Sequence, residues 1–264
     1  MNPFPSYRAR YLPAMTSGEI AALPDKDWAP VILATGAIEQ HGPHLPVAVD
    51  ALMGQVWLSL ALERLPAGVS CYVAPPVTVG KSNEHVGFPG TLIISKSTLR
   101  ELVLAVARQV QAWGFRHLAV LNTHGGNISV LRYTLREIGD AGGLSARFLR
   151  GNAAYDLSAQ ESTYGFHAGE LETAWILAAA GDLVRMGRAA CEFPAKISDP
   201  GELRPEFAPA TFSWASQDLS RTGIMGDATV ATLEKGRRWL ELGASHYAAQ
   251  IADLCRETRG PLLA

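Results

Sequence analysis

Four times in this 264-residue chain a short apolar run is followed by a segment of helical periodicity. Residues 29–35 (APVILAT) have the length and apolar character of a buried strand. The segment ALMGQVWLSLALERL follows, ending near Pro66, and Asp50 directly before it is a good N-cap, so the helix is expected to begin right after Asp50. Residues 70–77 (SCYVAPPV) are a second strand candidate, stopped by their own prolines. A helix is expected over 97–113, where Leu99, Leu102, Val103, Val106, Val110 and Trp113 keep i, i+3, i+4 spacing and Gly114 is placed to end it. Residues 117–121 and 144–149 read as strands, and 128–138 and 170–180 as helices. This alternation implies βαβ units, hence a three-layer α/β/α fold with a mostly parallel central sheet.

Residues 182–222 break the pattern. They hold several prolines and weak periodicity, and read as a long surface excursion of the kind that covers a site or a neighbouring subunit. Residues 228–254 return to helical spacing. No linker is evident, so 1–264 is expected to form a single domain.

Composition narrows the function. A formal charge of −2 with scattered basic residues gives no reason to expect a nucleic-acid or membrane partner. Cys71, Cys191 and Cys255 are odd in number, far apart and include no C-x-x-C pair, which argues against a disulfide framework or a thiolate zinc site. The opening stretch MNPFPSYRARYLPAM has no apolar core of the signal-peptide kind, and no apolar run reaches the roughly 18–20 residues of a membrane span. The expected location is the cytoplasm.

In parallel sheets, ligands bind beyond the carboxyl ends of the strands. The stretches that follow the four strands are GAIEQHGPHLPVAVD, VGKSNEHVGFPGT, NTHGGN and, past a loop, YGFHAGELET. They hold five of the seven histidines: His41, His44, His85, His124 and His167. Glu39, His41, Asp50, His124 and Glu172 together offer imidazole and carboxylate ligands, a set suited to zinc, manganese or iron(II) in a hydrolytic site. Glu39 and His41, two apart in an extended segment, point to the same side. Taken alone, Glu39, His41 and Asp50 also read as a polar turn with an N-cap. It is NTHGGN and HAGELET that turn the balance toward a metal. Gly125 and Gly126 let the backbone approach a ligand, allow positive φ and offer N–H groups to an anion at the coming helix. His44, between prolines, reads as a supporting residue. His85 is either a substrate contact or a surface-loop residue. His117 and His246 read as structural, and Glu170 as complementing a helix dipole.

With these stretches the sequence resembles the creatininase (creatinine amidohydrolase) family. IEQHGPHLPVAVD, HVGFPGT, NTHGGN and HAGELET, together with TGIMGDATVATLEKG, stand in family order over about residues 30–240. The resemblance implies a creatininase-like fold, a homo-oligomer (a hexamer) and one or two divalent ions per subunit, zinc first, with manganese or iron(II) as alternatives. It implies Glu39, His41, Asp50, His124 and Glu172 as metal ligands, with Asp50 bridging two ions. It further implies His167 and Glu39 as the catalytic groups, and Ser82, His85, Tyr164, Gly125 and Gly126 as the substrate-binding ones. Creatininase carries a ligating glutamate where this chain has Gly126, so a second ion needs a different ligand or is not held. It also carries a Trp-Asp pair where this chain has Thr163 and Tyr164, which weighs against creatinine as substrate. The implied function is hydrolysis of a C–N amide bond in a small molecule: a cyclic amide, a formamide or a peptide-like amide. Metal-dependent ring opening of a keto-inositol is the alternative, and a non-catalytic metal-binding relative a third.

Overall fold

The computed structural model describes residues 4–151, 153–194 and 214–260. In chain order the elements are α1 (Ser17–Ala22), β1 (Val31–Thr35), α2 (Val49–Glu63), β2 (Tyr72–Val73), α3 (Lys96–Ala112), β3 (His117–Asn122), α4 (Ile128–Ala141), β4 (Ser145–Leu149), α5 (Ala159–Tyr164), α6 (Glu170–Ala180), β5 (Cys191–Glu192), α7 (Ser216–Leu219), β6 (Gly226–Asp227) and α8 (Leu233–Arg259). Strands β1 to β4 form one parallel sheet in the order β2-β1-β3-β4.

The two central strands are buried on both faces, and side-chain alternation sorts them into two cores. Val31, Leu33, Leu118 and Val120 pack against Leu99 and Val103 of α3 and Leu131 and Leu135 of α4. Ile32, Ala34, Ala119 and Leu121 pack on the other side with Met53 and Trp57 of α2, Ile176 of α6 and Ile251 of α8. Helices therefore cover both faces, as the alternation of apolar runs requires.

Several local expectations change. Helix α2 starts at Val49 after Ala48, which makes no side-chain cap, so Asp50 lies inside the first turn and is not the N-cap. Its carboxylate is turned toward His41 and His124, and a side chain so engaged cannot also cap the helix. The second strand contracts to Tyr72–Val73, because Pro75 and Pro76 cannot donate to the ladder; pairing resumes only as a single bridge from Thr35 to Val77. The buried stripe of α3 is Leu99, Val103, Leu104, Ala107 and Val110, while Leu102 and Trp113 are exposed. The last helix begins at Leu233, capped by the Thr232 side chain, rather than at Ala228. Helices α1 and α5 lie outside the segments of clear periodicity; both carry an S/T-x-x-E start, Thr16 to Glu19 and Ser158 to Glu161. Of the 182–222 excursion, residues 195–213 lie outside the described residues. Its beginning pairs as β5 with β6, and its end forms α7.

The register that matters for function is that of β1 with β3. Thr35 pairs with Asn122, so both strands end level and release residues 36–48 and 123–127 side by side.

Candidate metal centre

The four loop stretches converge beyond the carboxyl ends of the strands. Glu39, His41, Asp50, His85 and His124 are all buried, none more than 4 % exposed. His167 is buried with them, and Glu172 is half-buried at the first turn of α6.

Three sets of their ligand atoms lie close enough to hold an ion: Glu39, His41 and His167; Glu39, Asp50 and His124; and His41, Asp50 and Glu172, the last two sharing Asp50. Nδ1 of His124 lies 3.3 Å from Oε2 of Glu39 and 3.3 Å from Oδ2 of Asp50. Nε2 of His41 lies 3.6 Å from Oδ1 of Asp50 and 3.7 Å from Oε2 of Glu172. Asp50 thus turns one oxygen to each of these two groups. Ligands held about 2.0–2.1 Å from a tetrahedral ion stand about 3.3–3.4 Å from one another; the two His124 separations match this, and the two His41 separations exceed it by a few tenths of an ångström. Glu39 Oε2, Asp50 Oδ2 and His41 Nε2 are buried with no hydrogen-bond partner, a costly condition that cations held in the two groups would relieve.

The outer contacts fix which imidazole nitrogen is free. Nδ1 of His41 donates to the Glu39 carbonyl at 3.1 Å, leaving Nε2 for the cluster. Nε2 of His124 donates to the Lys81 carbonyl at 3.0 Å, leaving Nδ1. Charge follows the same logic. Burial opposes a charged His41, yet the carboxylates of Asp50 and Glu172 push it up to about 10. His124 is likewise held well above the usual imidazole range by Glu39 and Asp50, against its burial. Burial works against the Glu39 charge too, and His124 and His85 still hold its carboxyl well below the usual range. The cluster is one that demands positive charge.

A second layer sits beside it. Nε2 of His167 donates to the Gln40 carbonyl at 2.8 Å, and its Nδ1 lies 3.9 Å from Glu39 Oε1. Burial, then the rings of His41 and His85, push His167 well below the ordinary imidazole range, so it is neutral, with its free lone pair on Nδ1. His85 is not a surface residue: its Nε2 lies 3.3 Å from Glu39 Oε1, and its ring stacks 4.2 Å from that of His167. Ser216 of α7 reaches His85 Nδ1 at 2.8 Å, and the Gln40 amide does so at 2.9 Å. Ser82, fully buried, has its hydroxyl 3.4 Å from His124 Nε2. His44 supports from behind, hydrogen-bonded through Nε2 to the Thr173 hydroxyl at 2.8 Å; burial and then His41 lower it to about 4. Tyr164 is half-buried at the end of α5, three residues before His167.

Other expectations resolve away from the cluster. His117 opens β3 at the opposite end of the sheet, and His246 of α8 donates to the Arg150 carbonyl at 2.9 Å. Glu170 does more than complement a dipole: it is buried and ion-paired with Lys235 of α8. Three residues with evident roles were not singled out from sequence. Gln40 sits between the two ligand candidates, Asn127 ends NTHGGN, and Ser216 belongs to a stretch of weak periodicity. Asn127 is buried and ties the loops together, donating to the Gly36 carbonyl and accepting from the Lys81 N–H, each at 3.0 Å.

A family profile described as creatininase, creatinine amidohydrolase, matches residues 13–251. The chain belongs to the creatininase family. It is 32 % identical over 217 residues to the mycofactocin precursor peptide peptidase of Mycolicibacterium smegmatis, covering 79 % of this chain and 78 % of that one. It is 29 % identical over 253 residues to the creatinine amidohydrolase of Pseudomonas putida, covering 88 % and 90 %. A solved manganese form of creatininase superposes with a TM-score of 0.72 at 25 % identity, over 92 % of this chain and 98 % of that one.

Within this creatininase-family frame, Gly126 has a physical explanation. A Cβ there would lie 2.0 Å from Glu84 Oε1, 2.4 Å from His124 Nε2 and 2.4 Å from the Lys81 carbonyl. The space is already filled by a carboxylate from another loop, itself paired with Lys81 Nζ at 2.9 Å. Neither Gly125 nor Gly126 takes positive φ, so close approach, not backbone freedom, is what calls for glycine at 126. Nor does its lack of a side chain leave the His41 group without a second carboxylate, since Glu172 faces Nε2 of His41.

Proposed function

We propose that this chain hydrolyses a carbon–nitrogen amide bond in a small, peptide-like substrate, using two divalent ions that share Asp50. The observation that carries the reading is the division of Asp50: one oxygen beside His124 and Glu39, the other beside His41 and Glu172. Thr163 and Tyr164 in place of the Trp-Asp pair weigh against creatinine, and the likeness to the mycobacterial peptidase supports a peptide-like amide.

A first ion would be held by Glu39, Asp50 and His124, and a second by His41, Asp50 and Glu172. Zinc suits these ligands, with manganese as the alternative. Bound there, a divalent ion supplies Lewis acidity, acidifying water and polarising a carbonyl. The protein's own residues do the rest. His167, with its Nε2–H given to the Gln40 carbonyl, presents Nδ1 to take the proton released by the attacking water and to return it to the leaving nitrogen. Gln40 holds that imidazole in one tautomer and, through its amide, holds His85. His85 donates from Nε2 to Glu39 and keeps that carboxylate aimed at the first ion. Ser82 is assigned to substrate contact, and Thr91 accepts the Gln40 N–H at 3.0 Å, tying the second loop to the first. The enzyme is further proposed to work in the cytoplasm as a homo-hexamer. Among the described residues no helix is long and apolar enough to cross a membrane.

The test is a panel of peptide amides, cyclic amides, formamides and inosose-type ketones offered to zinc- and manganese-loaded protein. Turnover of a peptide-like amide, abolished by His167→Ala with the metal content retained, supports the reading. Consumption of the ketone alone contradicts it.

A further inference from the structure

Glu161 is a buried carboxylate, 3 % exposed, that the chemistry above does not use. It stands at the third position of α5, where its own N–H is capped by the Ser158 hydroxyl at 3.1 Å. In that pattern the glutamate ordinarily reaches back to the capping residue. Here the side chain turns the other way. Oε1 accepts the N–H of Glu170 at 2.8 Å, and Oε2 accepts the N–H of Asp227 at 2.9 Å. One carboxylate thus joins the start of α6 to β6.

Glycines shape the slot around it. A Cβ on Gly169 would lie 2.2 Å from Glu161 Oε1, and one on Gly226 2.7 Å from the same atom. Gly169 is also the N-cap of α6 and has no side chain with which to cap it, so Glu161 supplies the cap from outside.

The turn enclosed by these two hydrogen bonds carries the site. His167 bridges to Met225, the residue before β6, with its carbonyl accepting from Met225 N at 2.8 Å. Ala168, fully buried, takes φ +53°, a left-handed conformation that a non-glycine residue holds only under constraint. Its N–H is accepted by Oε2 of Glu172 at 2.5 Å, the same oxygen that faces His41.

We propose that Glu161 is a positioning residue for the metal centre: by clamping α6 to β6 it holds the strained turn that aims His167 and Glu172. This rests on the assignment of Glu172 to the second ion. In Glu161→Gln the volume is kept, but an amide nitrogen faces one of the two N–H groups. Gly169→Ala keeps the charge and pushes the carboxylate out of its slot.

Zinc titration against a competing chelator, on wild-type and variant protein, reads the effect without reference to turnover. Wild-type protein is expected to bind two equivalents. Both variants are expected to bind the second equivalent about 10- to 100-fold more weakly and to lower kcat with KM nearly unchanged. The double variant should add little to either single one. Folded variants that bind both equivalents with wild-type affinity overturn the proposal. Collapse of the fold in both variants also overturns it, because Glu161 would then support the whole domain rather than the site. If wild-type protein itself takes up no second equivalent, it is the two-ion reading that fails.

Discussion

The hydroxyl of Ser216 lies 2.8 Å from Nδ1 of His85, across 131 positions of the chain. His85 in turn faces Glu39, so the end of the 182–222 excursion is wired to a metal-ligand candidate through a single imidazole. Ser216→Ala is expected to cost about 1 kcal/mol of the barrier, roughly a fivefold fall in kcat, with metal content unchanged. Steady-state kinetics beside elemental analysis checks this; an unaltered kcat would show that His85 is oriented without Ser216.

Asp50→Ala removes an oxygen from both groups at once, whereas Glu172→Ala removes one only from the group around His41. The first should empty both positions and lower activity by more than the about 10- to 100-fold typical of outer partners. The second should leave one ion. Equal metal loss in the two variants would argue against a shared carboxylate.

Proton competition gives a pH signature. His41, ordinarily near 6.5, is raised to about 10, against its burial, by Asp50 and then Glu172. A raised imidazole favours the protonated fold, so in metal-free protein its contribution to stability is fully present below pH 6.5 and lost as the pH rises through about 10. A zinc ion held by His41 Nε2 would have to displace that proton. Apparent zinc affinity is therefore expected to rise about tenfold per pH unit between pH 6.5 and 8 for each proton released. Chelator competition at several pH values measures the slope, and a flat profile would contradict a protonated metal-free His41.

Gly125 and Gly126 should respond oppositely to a methyl group. A Cβ at Gly125 meets nothing within 4 Å, and one at Gly126 meets Glu84, His124 and the Lys81 carbonyl at 2.0 to 2.4 Å. Gly125→Ala is expected to shift stability by no more than about 0.5 kcal/mol. Gly126→Ala should destabilise by about 1–3 kcal/mol and weaken metal binding, because His124 and a backbone carbonyl must move. Thermal unfolding of the two variants separates the outcomes.

Much of this molecule is legible in its sequence, for reasons visible residue by residue. Val31 and Leu33 against Ile32 and Ala34 are all apolar because both faces of β1 are covered, and that run announces a parallel sheet. A parallel sheet puts its loops at one end, which is why His41, His85, His124 and His167 meet. What local pattern could not convey was direction and distance. Asp50 reads as a cap because N-cap and first-turn aspartates share one sequence signature. Gln40 touches His167 across 127 positions and Gly223 across 183, and nothing in the intervening composition marks those contacts. Glu161 matched a local capping pattern, and its side chain serves a helix outside it. The family resemblance named Gly126 as a missing ligand; only the geometry showed Glu172 facing His41 from the other side.

The most direct measurement is the zinc stoichiometry of metal-stripped and reconstituted protein, by elemental analysis after removal of free ion. Two equivalents per chain, falling to none in Asp50→Ala and to one in Glu172→Ala, are expected. A single equivalent or none in the wild type, or two equivalents retained in Glu172→Ala, would contradict a centre of two ions sharing Asp50.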